Sequence, residues 1–252
     1  MKFLSELKRR NRLLYIFGWI CWLGAFVCII LSGRDDTQIL NINAWIKPLK
    51  FFLSVAIFSW TMAWLLYYLD AKRKVRIYSS VVVIVMSIEL FIISFQAARG
   101  TISHFNTSTA FDMILFNIMG VAIVILTIWT LYMGILFFRQ KKFSISQPYL
   151  WGIRLGIIFF VIFSFEGGYM ASNLAHSVGG PDGSPGLPIL NWSRSLGDLR
   201  VAHFFGIHSL QILPLVGYYI VNKKAQLFVF AGLYFLMVAS LLVMALYRLP
   251  LL

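Results

Sequence analysis

The stretch from Asp198 to Pro214, DLRVAHFFGIHSLQILP, is apolar enough to lie in a membrane and still carries four strongly polar side chains. At about 100° per residue, Arg200, His203, His208 and Gln211 fall within an arc of roughly 140° on one side of a helix. Polar groups at membrane depth are costly and usually face the protein interior or a cavity. The stretch therefore predicts a membrane helix with one polar face, kinked where proline removes a backbone donor.

The composition of the whole chain agrees with this prediction. Of 252 residues, 60% are hydrophobic and 12% are charged, and the mean hydropathy is +0.82. These values are typical of membrane proteins. The net charge of +13 does not indicate nucleic acid binding, because the basic residues form short clusters between apolar runs. Cys21 and Cys28 share one apolar run and are predicted to be packing residues. No CxxC or CxxCH motif occurs, which argues against cysteine-based zinc, iron–sulfur or c-type haem sites.

The distribution of apolar runs predicts an all-α integral membrane protein, a single transmembrane domain over residues 1–252. The first run is too long for a signal peptide, and no cleavage site follows it, so we expect a retained helix. The longest connector, 172–197, is rich in Gly, Pro, Ser and Asn and is predicted to be a lid or binding loop. The predicted spans are residues 13–31, 49–69, 77–97, 113–138, 149–171, 199–221 and 226–246.

The basic clusters predict an orientation. Those at the N-terminus, in the predicted loop 70–76, at 139–142 and at 223–224 hold 14 of the 22 Lys and Arg residues, and all would lie on one side of seven spans. Basic residues favour the cytoplasmic side. We therefore expect a cytoplasmic N-terminus and an extracytoplasmic C-terminus.

With this orientation, most unusual polar groups fall on the outer side. His104, His176 and His203 lie at predicted helix ends or in loops, and Glu166 lies near the outer end of the fifth span. His208 and Gln211 lie deeper, and Glu89 lies nearest the middle of the membrane. A buried carboxylate is kept neutral or paired, and a Ser, Asn or Lys of another helix is the plain expectation for Glu89. We expect one polar site, opening outward, between the third, fifth and sixth spans and under the 172–197 loop.

Imidazole is the commonest protein ligand of transition metals, so the first hypothesis is a haem b or transition-metal site with an oxidoreductase role. A haem needs histidine ligands, small residues beside the macrocycle and cations for its propionates. The predicted metal ligands are His104, His203 and His208; the predicted cofactor-binding residues are Arg99, Arg200 and Gly206; the predicted catalytic, proton-handling residues are Glu89, Glu166 and Gln211.

Three other classes of function remain open. A zinc-dependent intramembrane hydrolase is one, but the HxxxxH spacing in the sixth span differs from the HxxxH of the last span in such enzymes. A proton-coupled transporter is another, although polar groups fade toward the cytoplasm. A sensor or structural protein would use the same groups only to join helices. The expected partners are the lipid bilayer and a quinone or small-molecule substrate, with no nucleic acid; the oligomeric state is open.

Single polar residues also have plainer interpretations. His176 is predicted to be a surface residue of the long loop, and Asp182 a turn residue. Asp112 and Asp198 are predicted to cap helices. Trp45, together with the nearby lysines, is predicted to anchor the second span at the membrane interface.

Four segments carry a resemblance to known sequences: WIKPLKF (45–51), QAARGTISHFN (96–106), VGGPDGSPGLPILNWS (178–193) and GDLRVAHFFGIHSLQILP (197–214). They resemble a group of bacterial integral membrane proteins of uncharacterised activity. The resemblance covers the second to the sixth span. It implies a bacterial inner (cytoplasmic) membrane location and carries no activity.

Overall fold

The computed structural model describes residues 2–251, and its helices match the predicted spans. A short helix, α1 (Lys2–Arg10), precedes seven helices that are long and apolar enough to cross a membrane. The prediction of an all-helical fold with seven such segments is confirmed for this part of the chain. The seven helices are α2 (Arg12–Ser32), α3 (Ile46–Leu65), α4 (Lys72–Ala98), α5 (Ala110–Arg139), α6 (Gln147–Ser172), α7 (Leu199–Tyr219) and α8 (Lys224–Leu246).

The chain divides into two compact units, Met1–Trp129 and Thr130–Leu252, with the boundary inside α5. We call them unit 1 and unit 2, and each is described by itself. The prediction of one transmembrane domain stays a prediction.

In unit 1, α2 packs closely against α3. The indole of Trp60 donates to the carbonyl oxygen of Tyr15 at 3.2 Å, and Gly18 gives that indole its space. A buried apolar cluster of α2, α3 and α4 residues includes Cys21. Both cysteines are buried free thiols, which confirms their prediction as packing residues.

One local prediction in unit 1 is wrong. The basic residues 72–76 were predicted to be a loop, but α4 begins at Lys72 and includes them. The connector after α2 also has structure, because β1 (Gln38–Ile39) pairs antiparallel with β2 (Ile42–Asn43). Asp35 stabilises this hairpin: its carboxylate accepts hydrogen bonds from the Thr37 amide at 3.0 Å and the Trp45 indole at 2.8 Å. Hydrogen bonds from the Thr37 side chain, the Trp45 indole and the Thr37 amide hold the pKa of Asp35 below its ordinary value.

In unit 2, α6 and α7 lie so close that glycine is required at their contact. A Cβ atom at Gly152 would lie 2.5 Å from the carbonyl oxygen of Leu213. One at Gly217 would lie 2.5 Å from the carbonyl oxygen of Pro148. Gly152 and Gly156 form a GxxxG pattern, which lets helix backbones approach in membranes. The α7 helix continues through Pro214 to Tyr219.

The long connector of unit 2 is ordered by backbone pairing. β3 (Ser177–Val178) pairs antiparallel with β4 (Gly197–Asp198), directly before α7. Inside the connector, Gly186 and Ser193 form a further antiparallel bridge. The amide of Leu199 donates to the carbonyl oxygen of His176 at 3.0 Å. The connector is therefore fixed to the start of the helix that carries His203 and His208.

Candidate functional site

His203 lies in the second turn of α7 and is held by α6. Its Nδ1 lies 2.8 Å from the carbonyl oxygen of Phe163. A carbonyl oxygen only accepts hydrogen bonds, so Nδ1 must carry the proton. In the neutral ring the lone pair then lies on Nε2. A backbone carbonyl at one ring nitrogen is the usual partner of a histidine that binds a metal through the other nitrogen.

Two glycines shape the surroundings of this imidazole. A Cβ atom at Gly167 would lie 3.3 Å from His203 Cε1 and 3.9 Å from Nε2, so a side chain there would crowd the ring. A Cβ atom at Gly206 would lie 2.7 Å from Cδ2 of Phe163, and closer still to Cγ and Cβ of that residue. Gly206 was predicted to make room for a macrocycle, and here it makes room for the Phe163 ring.

His208 is held in a similar way, but within its own helix. Its Nδ1 lies 2.7 Å from the carbonyl oxygen of Phe204, and the two rings lie 4.1 Å apart. The proton is again on Nδ1 and the lone pair on Nε2. Five helical residues separate His208 from His203, which is about 7.5 Å of rise and a turn of roughly 140°. The two imidazoles are therefore better suited to two positions along one site than to a single ion.

His176 is part-buried and lies against a carboxylate, so it is not the exposed surface residue that was predicted. The ring of His176 lies 2.8 Å from a carboxylate oxygen of Asp182, and only 17% of its side chain is exposed. The sequence signal is weak because the two residues stand six apart in an irregular loop.

Asp182 does more than form a turn. Its carboxylate accepts backbone hydrogen bonds from His176 at 3.0 Å and from Ser177 at 2.8 Å, in addition to its contact with the imidazole. Burial alone would raise the pKa of Asp182, but these hydrogen bonds and the charge of His176 hold it well below its ordinary value. The pair fixes the loop beside His203.

Asp198 caps α7 as predicted, and it also holds Arg200. The carboxylate accepts a hydrogen bond from the Arg200 backbone amide at 3.0 Å and forms an ion pair with its guanidinium at 2.6 Å. The Ser193 amide donates to it at 2.8 Å, and the guanidinium also donates to the carbonyl oxygen of Asn191. Arg200, predicted to hold a propionate, is thus already oriented by the connector.

Glu166 is the most unusual side chain of unit 2. It is 7% exposed, and neither of its carboxylate oxygens has a hydrogen-bond partner within the described residues. It lies three residues after Phe163 on α6, within about 60° of it on the helix. A buried carboxyl group without a partner is costly in its charged form, which marks it as a functional candidate. Gln211 lies half-buried on α7.

In unit 1, Glu89 is 2% exposed and interacts electrostatically with Lys47 at the start of α3. The lysine is one of the partners expected for it. The Oε1 atom of Glu89 has no hydrogen-bond partner within the described residues.

Arg99 follows the last residue of α4, and its exposed side chain contacts two buried polar residues. Its guanidinium forms a 2.6 Å ion pair with Asp112 and donates to Gln96 at 2.6 Å, and Gln96 donates to Asp112 at 2.8 Å. Thr109 also bonds Asp112 at 2.6 Å and accepts from its amide. Asp112 therefore stands in the first turn of α5 rather than before it, and it ties α5 to α4.

His104 lies in the loop between α4 and α5. Its Nδ1 is 3.1 Å from the Ser103 hydroxyl, and its ring is 5.6 Å from that of Phe51. The predicted site residues thus divide between the units. Within residues 2–251, no three His, Cys, Asp or Glu side chains converge as a set that could hold one metal ion.

Unit 1 contains Glu89, Arg99 and His104, and unit 2 contains Glu166, Arg200, His203, Gly206, His208 and Gln211.

Comparison of the chain with protein-family models, with curated proteins and with solved structures produced no match. The residues of the site therefore carry the argument about function.

Proposed function

We propose that unit 2 binds haem b or a transition-metal ion through His203 and acts in membrane redox chemistry. The observation that carries this proposal is the hydrogen bond from His203 Nδ1 to the Phe163 carbonyl oxygen at 2.8 Å. It fixes the tautomer and orients the ring, so that Nε2 presents its lone pair in a fixed direction. Both features increase the affinity of an imidazole for a metal ion.

The proposal gives the other predicted residues of unit 2 supporting roles. His208 is the second candidate ligand, because its Nδ1 is also bound to a backbone carbonyl oxygen. Glu166 would exchange protons with the bound group or its substrate, and Gln211 would donate to it. Arg200 would offer its remaining N–H groups to an anionic substituent such as a propionate. A quinone or small-molecule substrate would be the electron partner. The sequence also predicts roles in this function for three residues of unit 1: His104, Arg99 and Glu89.

A specific observation favours a second candidate, proton-coupled transport. Glu166 is buried, neither of its oxygens has a hydrogen-bond partner among residues 2–251, and intramembrane carboxyl groups of this kind are typical of proton relays. The two candidates differ in one measurable respect, since transport requires neither haem nor a metal.

The location and orientation belong to the same proposal. We infer that the chain lies in a bacterial inner membrane with its N-terminus in the cytoplasm. The clustering of 14 of 22 basic residues on one side of seven helices supports the orientation. The resemblance of four segments to bacterial membrane proteins supports the location.

The test removes the imidazole of His203 but keeps a hydrogen-bond donor for the Phe163 carbonyl oxygen. His203→Gln can still donate to the Phe163 carbonyl oxygen but offers no imidazole lone pair, whereas His203→Ala loses both. We expect iron, zinc or haem bound to the purified protein to be lost in both variants. Full retention of the bound group in His203→Gln, His208→Gln and the double variant would overturn the proposal.

A further inference from the structure

The ends of α5 and α7 and the starts of α6 and α8 form a strongly basic surface in unit 2. Residues 130–160 and 214–230 contain six Lys and Arg and no Asp or Glu. Five of the six are exposed, and the sixth, Arg154, is half-buried. A positively charged surface attracts negatively charged ligands. This one has no carboxylate in its own segments to neutralise it.

At the centre of this surface, two cations share one aromatic ring. The guanidinium of Arg154 lies 5.0 Å from the centroid of Trp151, and the ammonium of Lys224 lies 4.4 Å from it. The two charges therefore lie within about 10 Å of each other, which is no more than a Debye length at 0.1 M salt. Phe138 and Phe228 complete the group at 5.0 Å and 5.3 Å from one cation each. We call these five residues the Trp151 cluster.

The guanidinium of Arg154 is held by a neutral carbonyl group, which leaves its positive charge uncompensated. Its Nε and Nη2 donate to the carbonyl oxygen of Phe137 at 3.0 Å and 2.8 Å. No carboxylate of the described residues forms an ion pair with it. Arginine has five N–H donors, so this arrangement leaves N–H groups for a further acceptor. A half-buried charge that is oriented by a neutral carbonyl is well prepared for an anion.

The surroundings of the cluster indicate which anion. Phe138 is 44% exposed and Phe228 is 39% exposed, and both lie in the last or first turns of apolar helices. Aromatic rings and basic side chains at helix ends are typical of the level of lipid headgroups. A free phosphate ion would gain nothing from the exposed rings, whereas a lipid would place its acyl chains against them.

We propose that the Trp151 cluster binds the phosphate group of an anionic phospholipid. Arg154 donates to the phosphate oxygens from the side of α6, and Lys224 does so from the start of α8. The acyl chains pack along Phe138 and Phe228. The bound lipid supplies the negative charge that this end of unit 2 lacks.

The experiment is native mass spectrometry of the full-length protein, transferred from detergent with phosphatidylglycerol or phosphatidylcholine added. Lys224→Gln is the test variant, because the Lys224 side chain is exposed and its contacts are with the aromatic rings of the cluster. Lys141→Gln, also an exposed cation of the same surface, is the matched control. We expect the fraction carrying phosphatidylglycerol to fall about fivefold in Lys224→Gln, the usual effect of one basic residue near anionic lipid, and to stay unchanged in Lys141→Gln. Arg154→Lys should give an intermediate loss, since lysine keeps the charge without the planar fork.

Three results would overturn the proposal. The first is equal loss of phosphatidylglycerol in Lys224→Gln and Lys141→Gln, which would indicate a diffuse surface charge. The second is equal binding of both lipids by the unchanged protein. The third is complete displacement of phosphatidylglycerol by inorganic phosphate, which would make the free ion the ligand. Lys224 is exposed, so we expect the Lys224→Gln variant to fold normally. Its melting temperature checks this.

Discussion

The substitution Gly206→Ala tests the contact that positions His203. A Cβ atom on Gly206 would lie 2.7 Å from Cδ2 of Phe163, and nearer to its Cγ and Cβ. Carbon atoms in good contact lie about 3.5–4.0 Å apart. Because the Cβ of Phe163 is attached directly to the α6 backbone, rotation of the ring cannot relieve the clash. The helices must therefore separate by roughly 1 Å.

This separation has a cost that can be estimated. Overpacking a close contact costs about 1–3 kcal/mol. The bond between His203 Nδ1 and the Phe163 carbonyl oxygen, now 2.8 Å, would lengthen beyond hydrogen-bond range. Its loss adds about 0.5–1.5 kcal/mol. We expect a total destabilisation of about 2–4 kcal/mol, which lowers the melting temperature by roughly 5–15 °C for a chain of this size.

The assay is thermal unfolding of the purified protein in detergent, with Gly168→Ala as the matched control. A Cβ atom on Gly168 meets nothing within 4 Å, and replacing glycine by alanine inside a helix is favourable by about 0.5–1 kcal/mol. We expect Gly168→Ala to unfold at or slightly above the temperature of the unchanged protein. If Gly206→Ala unfolds at the same temperature as Gly168→Ala, the close contact of α6 and α7 around His203 is wrong.

Two further predictions concern the connector of unit 2. Asp198→Ala removes the helix cap and the partner of Arg200, so we expect it to lower the free energy of unfolding by about 2 kcal/mol or more. Asp198→Asn keeps the cap and should lose less. Equal melting temperatures of Asp198→Ala and the unchanged protein would contradict this. Asp182 has a pKa below its ordinary value, so its contribution to stability is fully present above about pH 4 and is lost as the pH falls through the lower, folded-state pKa. The melting temperature of the unchanged protein should therefore fall more steeply below about pH 4 than that of Asp182→Asn. Parallel pH profiles would refute this role of the pair with His176.

The helices were predictable from sequence because each is a long apolar run bounded by polar or basic residues. The residues at which the helices begin and end were less predictable. The residues around Lys72 read as a loop because they are charged, but α4 includes them, because the cost of cations at a helix N-terminus is only about 0.3–1 kcal/mol and is screened where they are exposed. The GxxxG pattern at Gly152 was visible in the sequence and predicts the close contact of α6 with a neighbour, although it does not say that the neighbour is α7.

The site was predictable only in part. The polar face of α7 follows from helical spacing, and so does the capping role of Asp198. The partner of His203 does not, because it is a main-chain carbonyl, which every residue carries. The contact of His176 with Asp182 depends on the path of an irregular loop, which no periodicity encodes.

The most direct test of the proposed function is an optical spectrum of the purified protein, produced with haem supplied and recorded as isolated and after reduction with dithionite, together with elemental analysis of the same sample. We expect either a Soret band that shifts on reduction, with sharp α and β bands, or about one equivalent of a transition metal per chain, and in both cases its loss in His203→Gln. A featureless visible spectrum and the absence of bound metal in a fully folded sample would contradict the account and leave proton-coupled transport through Glu166 as the function to test.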